Sequence, residues 1–213
     1  MQSSARPVAD LKGALLHEVT LDARGSELKG PNISSPGAAA LRSTEGSQEC
    51  VVLQPGGSAG AGIGNNHTAP YFAELEIAVQ AQSNFLFVWR VRSAQSGSYQ
   101  IRVDSASATV GRLQFVWLAL PAGPGPSPSP VPSVEPLMPA PIALKDWGSG
   151  KPVTLAAAVR ADSYTIFADG KQVADVKGDH VPAGVSNLLG FTCTTAPGTA
   201  KITAMRVYDL KSP

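Results

Sequence analysis

The chain is predicted to fold as an all-β protein, an antiparallel two-sheet β-sandwich. Three observations carry this. Asp169-Gly170 stands between two apolar-bearing runs, 164–168 and 171–176. A type I′ turn needs φ > 0 at both central residues, which Gly adopts freely and Asp adopts better than most. Residues 71–80 and 98–104 alternate with period two: Ala73, Leu75, Ile77 and Val79 against Glu74 and Glu76, then Tyr99, Ile101 and Val103 against Gln100, Arg102 and Asp104. Such alternation gives a strand one apolar face and one polar face. Gly at 21 and Pro at 18 suit many short strands joined by many turns, and no apolar pattern of helical period extends over ten residues.

In chain order, residues 1–14 read as a loose N-terminal arm and 15–213 as a single sandwich. A first strand is expected at 15–21. Residues 25–46, rich in Gly, Ser and Pro, read mostly as loop, 49–54 as a short strand, and 55–66, with five glycines, as a long loop. Strands at 71–80, 85–92 and 98–104 follow, joined as hairpins by short polar links at 81–84 and 93–97. Residues 113–120 are apolar on both faces, which predicts a strand covered on both sides. Residues 121–141 hold nine of the eighteen prolines. Proline lacks an N–H and fixes φ, so this Pro-rich tract is excluded from a sheet interior and reads as a loop insertion of polyproline type. A two-domain reading, with the tract as linker, is disfavoured. Residues 142–213 alone would make a half-sandwich with an apolar face in water. The closing strands are expected at 153–159, 164–168, 171–176, 187–194 and 200–210.

Composition excludes several functions. The net charge is +1 and the 17 basic residues are scattered, whereas nucleic acid needs them clustered. No apolar run approaches the roughly 18 residues that cross a bilayer. Residues 1–7 are polar and lack a signal-peptide core, so either the protein is cytoplasmic or a leader has been removed. Cys50 and Cys193 are the candidates for a disulfide, which would constrain the unfolded chain by about 4–5 kcal/mol. Two separate buried thiols are preferred. Without a histidine near them they make no zinc site. Asp175, Asp179 and Asn187 lie near a turn but supply too few oxygens for calcium. Neither a metal nor a cofactor is expected.

Charged side chains collect on one predicted sheet face. Glu74 and Glu76 point the same way, about 7 Å apart along the strand. If 71–80 and 85–92 pair around Ser83, Glu76 lies opposite Arg90 and Glu74 opposite Arg92, while the next hairpin sets Arg102 beside Arg90. Opposite charges on neighbouring strands stabilise a solvated face by a few tenths of a kcal/mol each. A structural ladder is the first reading, a polar ligand face the second and a catalytic carboxylate pair the third. The carboxylate spacing decides for neither the retaining nor the inverting geometry of glycoside hydrolysis. Trp89 falls on the apolar face and reads as core. Trp147, between Asp146 and Gly148, falls in a loop and is the candidate for an exposed ring that stacks on a sugar.

The order of elements resembles the concanavalin A-like, laminin G-like jelly-roll domains of the lectin and glucanase superfamily. The resembling segments are Ala69-Pro70-Tyr71-Phe72-Ala73-Glu74-Leu75-Glu76-Ile77, then Phe85-Leu86-Phe87-Val88-Trp89-Arg90 with Gly97-Ser98-Tyr99-Gln100-Ile101-Arg102. Trp147, the strand 153–159, Tyr164-Thr165-Ile166, Asp169-Gly170-Lys171-Gln172-Val173, Leu189-Gly190-Phe191 and 202–207 complete it. The Pro-rich tract is outside the pattern. The resemblance implies a jelly-roll topology, and a function among sugar binding, protein docking, glycan hydrolysis or a spacer role. The hydrolases of this superfamily carry a Glu-x-Asp-x-x-Glu strand, and Glu74-Leu75-Glu76 lacks its third acid. In the family, a Trp at the place of Trp147 packs under the following strand.

The expectation is therefore a non-catalytic recognition or assembly module outside the cytoplasm, periplasmic, secreted or at the cell surface. It docks to a protein partner through the Pro-rich tract or the N-terminal arm, or binds a glycan through Glu74, Glu76, Arg90, Arg92, Arg102 and Trp147. A glycoside hydrolase with its acids on the sheet face is the alternative.

Overall fold

The computed structural model describes residues 7–20, 33–34, 40–45, 48–53, 58–61, 68–82, 84–120, 132–181, 189–193 and 197–211. A single helical turn, α1 (Val8–Leu11), leads into β1 (Lys12–Thr20), β2 (Ile33–Ser34), β3 (Ala40–Glu45), β4 (Gln48–Leu53) and β5 (Ser58–Ala61). The long strands β6 (Tyr71–Ala81), β7 (Leu86–Ala94), β8 (Gly97–Ser105) and β9 (Val110–Ala119) follow. Then come β10 (Ser133–Pro136), β11 (Ile142–Lys145), β12 (Ser149–Val159), β13 (Ser163–Ala168), β14 (Lys171–Lys177), β15 (Leu189–Cys193) and β16 (Gly198–Leu210).

These strands form two antiparallel eight-stranded sheets. The first runs β14-β13-β12-β6-β16-β4-β3, with β1 also paired to β16; the second runs β10-β9-β8-β7-β15-β5-β2, with β11 also paired to β9. Their inner faces meet in one core. Leu75, Ile77, Leu155, Ala157, Ile166 and Val207 come from the first sheet, and Phe87, Trp89, Ile101, Val103, Leu113 and Phe115 from the second. The period-two pattern predicted these inward faces, and the Asp169-Gly170 turn closes the β13–β14 hairpin with both residues at positive φ.

The predicted pairing of 71–80 with 85–92 is not made. β6 lies between β12 and β16 in the first sheet, while β7 lies between β8 and β15 in the second. The chain crosses from one sheet to the other between them. Asn84 takes φ 67° there, its N–H donates to the Ser105 carbonyl at 2.9 Å, and the Ser105 N–H donates to the Phe85 carbonyl at 2.8 Å. Both hydrogen-bonding edges of β6 are filled by strands distant in sequence, so the neighbour in sequence goes elsewhere.

Other boundaries also differ. Residues 12–14, expected in a loose arm, belong to β1, and Leu11 is buried against Phe72, Phe167 and Leu210 on the outer face of the first sheet. β2 and β3 fall within the predicted loop 25–46, and β5 within the predicted loop 55–66. Part of the Pro-rich tract is strand: Ser133–Pro136 pairs with β9 as the last strand of its sheet. An edge tolerates Pro because the missing N–H costs no ladder bond there. Residues 121–131 lie outside the described residues.

One irregularity decides what faces where. In the β7–β8 ladder Arg90 pairs with Gln100 but Arg92 pairs with Tyr99, so Val91 is an extra residue. Such a bulge re-aims the side chains after it. Val91 and Arg92 are both buried, at 0% and 1% exposure, where strict alternation put Arg92 on the polar face. Arg92 Nη1 donates to the Arg160 carbonyl at 3.0 Å, the Ala161 carbonyl at 2.8 Å and the Tyr164 hydroxyl at 3.1 Å. Its Nη2 donates to the Val181 carbonyl at 3.2 Å.

Two predictions follow from this interior. Arg92→Met keeps volume but leaves the Arg160, Ala161 and Val181 carbonyls without their donor. It is expected to lower stability by at least about 2 kcal/mol in urea unfolding, since charge-assisted hydrogen bonds are among the strong ones. A shift within error would mean that water replaces the guanidinium there. The second concerns pH. Burial pushes the Cys193 thiol from 9.0 up to about 12, and burial likewise raises the hydroxyls of Tyr71 and Tyr164 above their ordinary 10.0. The folded state therefore holds these protons more tightly than the unfolded chain does. Their stabilisation is full below pH 9 and is lost as pH climbs from 9 through 12. The urea midpoint should fall across that window; a constant midpoint would show these groups already open to water.

Candidate functional site

The outer face of the second sheet carries a shallow groove of about 380 Å³. Its floor comes from β7 and β8, whose outward positions follow from alternation before the bulge: Arg90 on β7, with Ser98, Gln100 and Arg102 on β8. Leu118 of β9 and Leu120 just after it form an apolar side. A chain of hydrogen bonds runs along β8. Arg102 Nε donates to Gln100 Oε1 at 2.9 Å, and Gln100 Nε2 donates to Ser98 Oγ at 2.7 Å. Gln100 and Ser98 are buried at 2% and 6% exposure, so this chain is held against the sheet and orients the Arg102 guanidinium. Burial lowers the Arg102 pKa from its ordinary value, and no carboxylate among the described residues offsets that desolvation. Arg90 is half-buried and makes no ion pair among the described residues.

The other predicted site residues go elsewhere. Glu74 and Glu76 lie on the outer face of the first sheet, not opposite Arg92 and Arg90. Glu74 Oε2 accepts from Lys12 Nζ at 2.5 Å, and Glu76 Oε1 accepts from Arg206 Nη1 at 2.5 Å. Arg206 Nε donates to Glu18 Oε1 at 2.7 Å, and these acids hold its pKa above the ordinary value, Glu76 first. Lys12 also sits over the rings of Phe72 and Tyr208, at 5.7 Å and 5.0 Å from their centroids. The cluster thus clamps β1 across β6 and β16. A charged ladder exists as predicted in kind, but with cations from the two chain-distant strands.

Arg92 is in the interior as described. Trp147 is 1% exposed, with its ring 6.1 Å from that of Phe87, so it offers no stacking platform. Gly111 makes room for it: a Cβ there would stand 2.6 Å from the Trp147 ring. Its burial agrees with the family resemblance, against the exposed ring expected from its loop position, and the contacts described are with Phe87 and Gly111. Cys193 is a buried free thiol, so its bridge to Cys50 is not made; the Cys50 side chain lies outside the described residues. Among the described residues, no group of three His, Cys, Asp or Glu side chains is placed to hold a metal ion, and no helix is long and apolar enough to cross a membrane.

A second cleft, of about 400 Å³, lies at the outer side of β13 and β14, where Arg160 donates to Thr165 Oγ1 at 3.1 Å and Thr165 to Asp175 Oδ1 at 3.3 Å. Of the predicted site residues, the structure brings only Arg90 and Arg102 together in a groove. It adds Ser98 and Gln100, which the alternation of 98–104 already placed beside Arg102, and Leu118 and Leu120, for which only a covered apolar strand was foreseen.

No family model and no curated protein matches the chain. Solved structures do. A galectin-like protein of unknown function from Bacillus subtilis superposes with a TM-score of 0.59 at 10% identity, covering 95% of this chain and 99% of that one. A mixed-linkage glucan GH16 protein from Bacteroides ovatus, in complex with its product, gives 0.58 at 9% identity over 81% and 86% of the two chains. The carbohydrate-binding module CBM66 from Bacillus subtilis gives 0.52 at 11% identity over 83% and 94%. The fold is the concanavalin A-like jelly-roll sandwich. At these identities the likeness is one of fold, and this sandwich serves hydrolases and binding modules alike.

The acid cluster yields its own prediction. Arg206→Met leaves Glu18, Glu74 and Glu76 with one cation fewer, which should cost about 1–2 kcal/mol in urea unfolding, discounted for partial exposure. An unchanged midpoint would make the cluster a solvated surface ornament of no energetic weight.

Proposed function

We propose that this protein is a non-catalytic glycan-recognition module, working outside the cytoplasm, which takes its ligand in the groove on the outer face of the second sheet. One observation carries the reading: the groove sets the hydrogen-bonding side chains of Arg90, Ser98, Gln100 and Arg102, mounted on paired strands, beside apolar Val88, Ala94, Leu118 and Leu120, with no carboxylate among the described lining residues. Sugar recognition needs fixed donors and acceptors beside apolar surface, and strand-mounted side chains hold such donors with little ordering cost. The fold neighbours that bind or cleave glycans support the same class of ligand.

Glycoside hydrolysis asks for two carboxyl groups flanking a scissile bond. Glu74 and Glu76, the acids nominated for it, are on the opposite sheet from the groove, and each is engaged in an ion pair, with Lys12 and with Arg206. Docking through the N-terminal arm is the weaker reading, because residues 8–14 are built into α1 and β1.

A glycan array followed by calorimetry on the hits tests the reading. The double variant Arg90→Ala/Arg102→Ala should lose at least about ten-fold in affinity, the equivalent of one charge-assisted hydrogen bond. The wild type should release no reducing ends from the same glycans. Unchanged binding by the double variant would remove the groove as the site, and hydrolysis abolished by Glu76→Gln would make the protein an enzyme.

A further inference from the structure

We infer that the groove selects an acidic glycan, one whose sugars carry a carboxylate or a sulfate, over a neutral one; this rests on the reading of that face as a glycan site. The argument is one of unmatched charge. Arg112 has Asp104 at 2.5 Å, Arg206 has Glu18 and Glu76, and Arg92 has its carbonyls. Arg90 and Arg102 have no carboxylate partner among the described residues, yet both are half-buried on adjacent strands. Arg90 is directly opposite Gln100, so Arg102 is its diagonal neighbour, with Cβ atoms about 7–8 Å apart.

Arg102 is partly withdrawn from water without a counter-ion among the described residues, and desolvation alone disfavours its charge. An oxyanion between Arg90 and Arg102 removes that cost and gains charge-assisted hydrogen bonds. Arg102 is prepared for this. Its Nε is occupied by Gln100, which fixes the plane of the guanidinium, and its two terminal nitrogens make no hydrogen bond among the described residues. A planar fork oriented in this way matches a carboxylate or sulfate with two parallel hydrogen bonds.

The complementary observation is the missing platform. A neutral glycan site of the usual kind sets an aromatic ring under a pyranose. None of the described lining residues is aromatic, and Trp89, Trp117 and Trp147 are exposed by only 0%, 5% and 1%. Selectivity in this groove must therefore come from polar and charged contacts, beside an aliphatic surface of Val88, Ala94, Leu118 and Leu120. The net charge of +1 gives no long-range attraction, so the preference for acid is a property of these two arginines and not of the surface as a whole.

Calorimetry on the full chain tests this with four probes of matched length: an oligogalacturonate for carboxylate, a kappa-carrageenan oligosaccharide for sulfate, a mixed-linkage glucan oligosaccharide as the neutral sugar, and an oligoglutamate peptide. At least one acidic sugar should bind about ten-fold or more tightly than the neutral one, and its affinity should fall as salt is raised. Whichever acidic sugar binds identifies the oxyanion. Arg90→Gln and Arg102→Gln should each weaken acidic-sugar binding about ten-fold and leave neutral-sugar binding unchanged. Arg112→Gln, outside the groove and paired with Asp104, should change neither; unchanged circular dichroism and melting temperature confirm that each variant is folded. Neutral sugar binding as tightly as acidic, and weakened as much by both groove variants, would overturn the charge preference and leave the glycan site standing; indifference of both variants would remove the groove as the site as well. Equal weakening by Arg112→Gln would reduce the effect to general charge and overturn it as well. Binding of oligoglutamate in place of any sugar, or of no probe at all, would overturn the glycan reading together with this one.

Discussion

The guanidinium of Arg92 is the polar fastener of the sandwich. It leaves β7 in the second sheet and reaches the turn between β12 and β13 in the first, where it meets the carbonyls of Arg160 and Ala161. It also takes the Tyr164 hydroxyl and the carbonyl of Val181 after β14. A buried cation is costly unless its hydrogen bonds are made. Here the backbone oxygens of Arg160, Ala161 and Val181 converge on it, so the guanidinium and the carbonyls satisfy one another. Tyr71 adds a second tie in the opposite direction, donating from β6 in the first sheet to the Val91 carbonyl of β7. Around these ties Tyr99, Tyr164 and Phe115 stack, with Tyr99 and Tyr164 centroids 4.2 Å apart. Apolar burial holds two sheets together but does not set their relative placement, because it is non-directional. The directional bonds at this end do.

The bulge at Val91 is what makes that fastener, and it also makes the candidate site. Had β7 kept strict alternation, Arg90 and Arg92 would share one face, and the groove would carry a third cation while the interior lost its donor. The inserted residue sends Arg92 inward and leaves Arg90 outside with Arg102. The interior fastener and the candidate site thus fall to two arginines on either side of Val91. A bulge next to a site is a common device for re-aiming a side chain.

The inward faces of β6, β7, β8, β12 and β13 were legible because period two is a direct consequence of the pleat. The Asp169-Gly170 hairpin was legible because turn chemistry is local. What escaped were facts of a different kind. Pairing partners depend on which edges are vacant in three dimensions, and neighbours in sequence are neighbours in the sheet often but not always. That rule misplaced 71–80 beside 85–92, and with it the partners of Glu74 and Glu76. Their real partners, Lys12 and Arg206, come from opposite ends of the chain, and nothing in the local pattern points to them. β2, β3 and β5 lie in Gly- and Ser-rich sequence and are ordered into strands by what they pair with. Trp147 was misread because exposure was judged from loop position, whereas Gly111 across the fold opens the slot it fills.

The candidate site was half legible for the same reasons. Arg90, Gln100 and Arg102 could be set on one polar face from alternation alone. Whether such a face carries structure or function turns on whether its charges find partners, and that is decided by the sheet behind it. On the first sheet every acid in question meets a cation from a strand laid beside it, which is what a stabilising surface looks like. On the second sheet Arg90 and Arg102 lie on adjacent strands, Arg102 is braced by a buried glutamine, and no acid among the described residues pairs with either. β8 does carry an acid on this face, but Asp104 is opposite Arg112 and paired with it, so the imbalance is one of pairing and not of a missing acid on the strand. A charge partly desolvated in a cleft without a partner is a ground for naming a candidate site.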